Sequence, residues 1–225
     1  TCMLAAISGR AAPRQSPVAP PASAQHRPSL ALQLDHAGQI ICVAFSPDGK
    51  FVATASIDRT VRLWDVRTRQ VIRVLSGDLN LPRLLAFSPN GRLLAVGDLT
   101  HTVKLWDLSS GDLTTLQGES RGTWSLAFSP DGRTLAFVAI SGGRRLLWVR
   151  SLDSLSARSL PGTDEPLMPF WSRDSRFIGF FAERKLKKIQ VAGGPPETIC
   201  DAPSGLGGTW NRDGVIVFAP DNRMP

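Results

Sequence analysis

Apolar residues along this chain fall in short runs separated by turn-forming clusters, and no stretch carries a helical 3.6-residue period. The first run, Ile40–Ser46, is nonpolar on both faces, as expected of a strand with neighbours on either side. Pro47-Asp48-Gly49 then predicts a turn: Pro fixes φ, Asp bonds its own backbone and Gly takes the positive φ. Phe51–Ser56 reads as a second strand, Thr60–Val66, with R-L-W-D alternating, as a third, and Val71–Leu75 as a fourth. The pattern returns at Leu84–Ser88, Leu93–Gly97, Thr102–Leu108 and Leu113–Leu116. It returns again at Ser125–Ser129, Thr134–Ala139, Arg145–Arg150 and Ala157–Leu160. A further copy runs through Met168–Ser172, Phe177–Ala182, Leu186–Val191 and Glu197–Cys200, and another begins at Gly208–Asn211 and Val215–Ala219.

Two markers keep time with these strands. F-S-P-D-G at Phe45–Gly49 recurs from Phe87, Phe128, Trp171 and Trp210, in steps of 42, 41, 43 and 39 residues. Trp64, Trp106 and Trp148 stand 42 apart, and Ile189 follows 41 further on. A period of this length is the signature of a radial β-repeat with one four-stranded blade per period. The expected fold is therefore all-β: a propeller of antiparallel blades starting near 39, 81, 122, 166 and 207. About four and a half blades are present, so the expected ring is incomplete and open, its remaining blades supplied by sequence outside this chain. Thr1 and Pro225 read as the ends of a fragment.

Val52–Asp65, V-A-T-A-S-I-D-R-T-V-R-L-W-D, resembles the second half of a WD40 repeat, and D-H-A-G at Asp35–Gly38 takes the place of that family's Gly-His dipeptide. The resemblance implies a hydrogen-bonded tetrad of His36, Ser56, Asp58 and Trp64. That tetrad is a stability device, because a buried indole N–H and imidazole need polar partners. It is not a hydrolytic triad, since Asp58 lies in a tight turn and no nucleophile elbow surrounds Ser56. The second repeat keeps Trp106 but has Asp98 and Thr100 where Ser56 and Asp58 stand. The third keeps Trp148 and has Gly142 in place of the Asp.

S-P-D-G-R-T-L-A-F at Ser129–Phe137 opens a stretch, to about residue 220, that resembles the TolB-like (PD40) propeller repeat. With P-F-W-S-R-D-S-R-F-I-G-F-F at Pro169–Phe181 and L-K-K-I-Q-V-A-G-G-P-P-E-T-I-C-D-A-P at Leu186–Pro203, it is similar to the propeller of bacterial transmembrane Ser/Thr protein kinases. No kinase motif is present: there is no H-R-D loop, no D-F-G and no Gly-rich loop before a V-A-I-K lysine. Gly142-Gly143, Gly193-Gly194 and Gly207-Gly208 open no helix and read as hairpin turns rather than phosphate loops.

Residues 1–34 stand apart. Ala11–Ser29 is rich in Pro, Ala and Ser and reads as a flexible or polyproline-like linker. Met3–Ile7 before it has two readings: the tail of a signal peptide or anchor, with Ala22–Ala24 resembling a cleavage site, or plain linker. An extracytoplasmic location is thereby favoured over a cytoplasmic one. No window approaches the roughly 18 apolar residues of a membrane span.

A net charge of +7 and a pI near 10.1 suggest an acidic partner. The basic residues often sit beside acids, and no aromatic–basic interleaving accompanies them, so nucleic acid is not the expected partner. Cys2, Cys42 and Cys200 show no metal-ligand spacing, and the last two read as small core residues; no metal or cofactor is expected.

In the families this chain resembles, the rim where fourth-to-first and second-to-third-strand loops gather usually binds partners. Here the second-to-third loops supply Arg59, His101, Arg144, Arg145, Arg184 and Lys185 against Asp58, Asp98 and Glu183. The expected function is a non-catalytic protein-interaction or sensor module that binds a protein or peptide, of acidic character if this rim is used. The alternative is the accessory propeller of a larger enzyme, a Ser/Thr kinase or a peptidase, whose catalytic domain lies outside these residues.

Overall fold

The computed structural model describes residues 36–99, 103–116, 121–154, 156–205 and 207–219, without the side chains of 121–124 and 141. The linker expected over 1–34 lies outside the described residues. Eighteen strands follow in chain order among the described residues. The first sheet holds β1 (Ile40–Phe45), β2 (Phe51–Ser56), β3 (Val61–Asp65) and β4 (Gln70–Leu75). The second holds β5 (Leu84–Phe87), β6 (Leu93–Gly97), β7 (Val103–Asp107) and β8 (Leu113–Leu116). The third holds β9 (Arg121–Phe128), β10 (Thr134–Ser141), β11 (Arg144–Ser151) and β12 (Arg158–Ser159). The fourth holds β13 (Leu167–Trp171), β14 (Phe177–Ala182), β15 (Lys185–Gln190) and β16 (Glu197–Asp201). The hairpin β17 (Gly208–Trp210) and β18 (Ile216–Phe218) forms a fifth, two-stranded sheet.

Every sheet is an antiparallel meander, and the first strands β1, β5, β9, β13 and β17 neighbour one another in that order. This is the radial arrangement of a propeller, with the first strand of each blade innermost. No pairing joins the first sheet to the last among the described residues, so the ring is open.

The recurring turn is built the same way in the four four-stranded blades. The Ser46 hydroxyl donates to Asp48 at 2.7 Å and accepts from the Phe51 N–H at 2.9 Å, while Asp48 accepts from the Lys50 N–H at 3.1 Å. Ser88 with Asn90, Ser129 with Asp131 and Ser172 with Asp174 repeat the contact at 2.7, 2.5 and 2.6 Å. These serines are buried, and the local bonds satisfy hydroxyls that the fold hides from water.

Each blade packs one face on the next. Ala53, Ala55, Val61 and Leu63 of the first blade meet Leu94, Val96 and Trp106 of the second. Ala95 and Val103 then meet Leu135 and Phe137, and Ala136, Val138 and Leu147 meet Ile178, Phe180 and Ile189. Phe181, Leu186 and Ala202 carry the terminal hairpin through Trp210, Ile216 and Phe218. Cys42 and Cys200 are free thiols packed at the edges of these clusters, and burial pushes the Cys42 thiol up.

The outer face of the first blade is uncovered. Phe45 is 65% exposed, whereas Trp171, at the same point of the fourth repeat, is 7% exposed and donates its indole N–H to the Ala127 carbonyl of the preceding blade. Val43, Ile72 and Val74 share that uncovered face, as Val217 does on the terminal hairpin. Burying a side chain of this size contributes about 2 kcal/mol, so the inner blades hold stability that these faces lack. Among the described residues no helix is long and apolar enough to cross a membrane.

Candidate functional site at the rim of second-to-third-strand turns

The first of these turns is tied down by a polar knot. His36 Nδ1–H donates to Asp58 Oδ2 at 2.8 Å, and the Thr54 hydroxyl lies 2.8 Å from both His36 Nε2 and Trp64 Nε1. The indole can only donate, so Thr54 accepts from Trp64, and the same hydroxyl bonds His36 Nε2. Thr60 donates its hydroxyl to Asp58 Oδ1 at 2.7 Å, and the N–H groups of Ala37 and Thr60 complete the carboxylate's shell. Burial opposes ionisation of Asp58, but these donors outweigh it and hold the carboxyl well below the usual carboxylate range. Gly38 is needed beside this knot, because a Cβ there would stand 2.6 Å from Ile57 Cγ1.

Ser56 does not join Trp64 as the sequence led us to expect. Val52 pairs with Trp64 and Thr54 with Arg62, so Thr54 is the diagonal neighbour of the indole on the shared face. Ser56, two residues further on and fully buried, instead accepts the Asp58 N–H at 3.1 Å and shapes the turn. Both hydroxyls lie on one face of β2, and sequence spacing alone could not choose between them.

The second blade has Val96 where Thr54 stands, so the hydroxyl that serves Trp64 has no counterpart at that position of β6. Asp98 is buried and accepts the Asn80 N–H at 3.1 Å, while Thr100 lies outside the described residues.

The third blade departs further. Gly142 and Gly143 both take positive φ, 58° and 81°, which is the two-residue hairpin turn with two left-handed centres. This turn adds the spare residues to the strands, and β10 and β11 pair from Thr134↔Ser151 to Ser141↔Arg144. Leu135, the counterpart of Val52, therefore faces Arg150 and not Trp148. Trp148 pairs with Phe137, at the place Arg62 holds in the first blade, and stacks on that ring with centroids 6.5 Å apart. Its Nε1 is buried without a hydrogen-bond partner among the described residues. Arg150 is buried, and its Nε donates to the Ser154 carbonyl at 3.0 Å. The constant spacing of the three tryptophans thus conceals a change of place, whereas Ile189, paired with Ile178, does stand where Trp64 does.

The six rim cations also separate. Arg59 and Arg184 sit at turn tips with φ of 66° and 61°, exposed, and neither forms an ion pair among the described residues. Lys185 is exposed at the start of β15. Arg144 meets Asp164 at 3.5 Å, and Arg145 donates through Nε to Glu165 at 2.5 Å, which holds that carboxyl below its ordinary value. These acids come from the loop entering the fourth blade, twenty residues downstream, and counting cations in the turns alone missed them. His101 lies outside the described residues.

Comparison with known proteins agrees with this geometry. The family described as WD domain, G-beta repeat matches residues 29–65, 70–107 and 111–144. The chain is similar to the general transcriptional corepressor TUP1 of Saccharomyces cerevisiae, with 51% identity over 35 residues, covering 16% of this chain and 5% of that protein. It is similar to the Notchless protein homolog of Arabidopsis thaliana, with 61% identity over 33 residues, 15% of this chain and 7% of that protein. It is similar to human WD repeat-containing protein 18, with 44% identity over 41 residues, 18% of this chain and 10% of that protein. These matches span a tenth or less of each relative's length. Residues 29–65, 70–107 and 111–144 are thus similar to WD40 repeats.

Proposed function

We propose that this chain is a non-catalytic protein-interaction module whose rim of second-to-third-strand turns binds an acidic peptide or protein surface. The observation that carries this reading is the pair Arg59 and Arg184, exposed at turn tips without an ion pair among the described residues. Ordering two long cations there is of little use to the fold, whereas an incoming carboxylate gains a charge-assisted hydrogen bond from each. The WD-repeat relatives support the class, since one is named a transcriptional corepressor, a role carried by contacts rather than by chemistry. Pull-down with acidic and neutral peptide pools tests the reading. Capture of the acidic pool that weakens with added salt is expected, and capture indifferent to salt contradicts it.

A second reading rests on the change of repeat style after Phe128, where the Gly-Gly turn and shifted register of the third blade replace the first blade's polar knot. In that reading the module is the TolB-like sensor propeller of a larger enzyme, a Ser/Thr kinase, at the outer side of a membrane. Sequencing the reading frame upstream of Thr1 decides it: a kinase domain followed by a membrane span supports it, and further WD40 repeats oppose it.

A further inference from the structure

The loops that close the fourth blade enclose a cavity of about 370 Å³, within the size range of small-ligand and side-chain pockets. Leu167, Phe181, Ala182, Ala202 and Pro203 make its walls predominantly apolar. The Phe181 ring is buried at its base, and Gly205 lies so close that a Cβ there would stand 2.1 Å from Cδ1. Any larger residue at Gly205 would collide with the ring.

Three charged residues ring the mouth: Glu165, Glu183 and Arg184. Glu165 is held by Arg145, and Glu183 accepts from Lys187 Nζ at 2.6 Å, so both carboxylates are already engaged. Arg184 forms no ion pair among the described residues, and its backbone is pinned by the Ala202 N–H, which donates to its carbonyl at 2.8 Å. All three have left-handed φ, 50°, 52° and 61°, a conformation that costs free energy in residues other than glycine and collects at binding sites. A cationic ligand would have to displace Arg145 or Lys187, whereas an anion meets an unengaged guanidinium beside an apolar cavity.

We propose that this cavity seats a peptide segment carrying one bulky aliphatic side chain next to a carboxylate. The side chain enters over Phe181, and the carboxylate lies against Arg184. The inference rests on the acidic-partner reading of the rim and adds to it the blade, the anchor and the sequence character of the ligand.

The test uses fluorescein-labelled Gly-Ser-Glu-Glu-Leu-Glu-Glu-Ser-Gly, a copy with Ser for Leu, and a copy with Gln for every Glu, titrated with the whole chain by fluorescence anisotropy. Arg184→Asn keeps a residue that tolerates left-handed φ and removes the charge. Ser204→Trp plugs the mouth from an exposed position, and a thermal melt unchanged from wild type shows that the variant is folded. Arg59→Asn serves as the rim control. Expected are binding of the first peptide alone, a loss of about tenfold or more for Arg184→Asn and no binding to folded Ser204→Trp. Equal binding of the Leu and Ser peptides, or an undiminished affinity of Ser204→Trp, overturns the cavity. If acidic peptides then bind through Arg59, the rim reading stands without it; if none of the peptides binds, both fail.

Discussion

Trp64 and Trp148 stand two repeat periods apart in the same phrase, and the fold treats them as different residues. In the first blade the indole N–H ends a chain of hydrogen bonds through Thr54 and His36 to Asp58. In the third, the indole pairs two residues further along β10 than Trp64 does along β2, stacked on Phe137, with its N–H buried and without a partner among the described residues. The first blade is fastened by polar chemistry at its turn, and the third by a longer apolar hairpin. The rim follows suit: the first turn presents Arg59 to solvent, while Arg144 and Arg145 at the third are drawn onto Asp164 and Glu165. Equal spacing in a repeat therefore guarantees neither equal position nor equal surface.

The largest effect that separates the two blades is expected from Thr54→Val. It leaves the Trp64 N–H and His36 Nε2 both unpaired in a largely buried site, at a cost of about 2 to 3 kcal/mol in urea unfolding. Ser56→Ala removes only one turn bond and should cost about 1 kcal/mol. The reverse ranking would restore Ser56 to the place the sequence suggested.

A smaller contrast comes from replacing each indole by Phe. Trp64→Phe deletes a satisfied donor and should cost about 1 kcal/mol, whereas Trp148→Phe removes a donor that has no partner and should leave stability unchanged or raised. Equal losses would mean that the two rings share one environment.

The smallest effect is one of pH. Asp58 has a depressed carboxyl in the folded chain, against about 3.9 when unfolded, so its contribution is present above about pH 5 and is lost as pH falls toward the folded value. Asp48 and Asp131 are both depressed in matching turns, Asp65 is depressed in an exposed turn at the end of β3, and the exposed Glu165 pair adds little. Amide exchange in β2 and β3 should therefore accelerate between pH 5 and 3 more than in β10 and β11. Parallel acceleration would contradict a special role for Asp58.

The blades were legible in the sequence because their punctuation is local. Ser46, Asp48 and Gly49 make a turn whose bonds close within five residues, and each later copy carries the same instruction. Thr54 was not legible, since it and Ser56 face the same way and only the pairing of Val52 with Trp64 ranks them. The acids that meet Arg144 and Arg145 stand in the fourth-to-first loop of the same rim, twenty residues downstream, and only the fold decides which cation each one meets. The shift of Trp148 did leave a signal. Counting outward from Gly142-Gly143 as a two-residue turn pairs Phe137 with Trp148, but the regular 42-residue beat of the tryptophans masks that shift.

The displaced register is therefore the claim on which the comparison depends, and cross-strand NOE contacts in the third blade measure it directly. Contacts joining Phe137 to Trp148 and Leu135 to Arg150 are expected. A contact pairing Leu135 with Trp148 would put that indole back in the place of Trp64 and contradict the account.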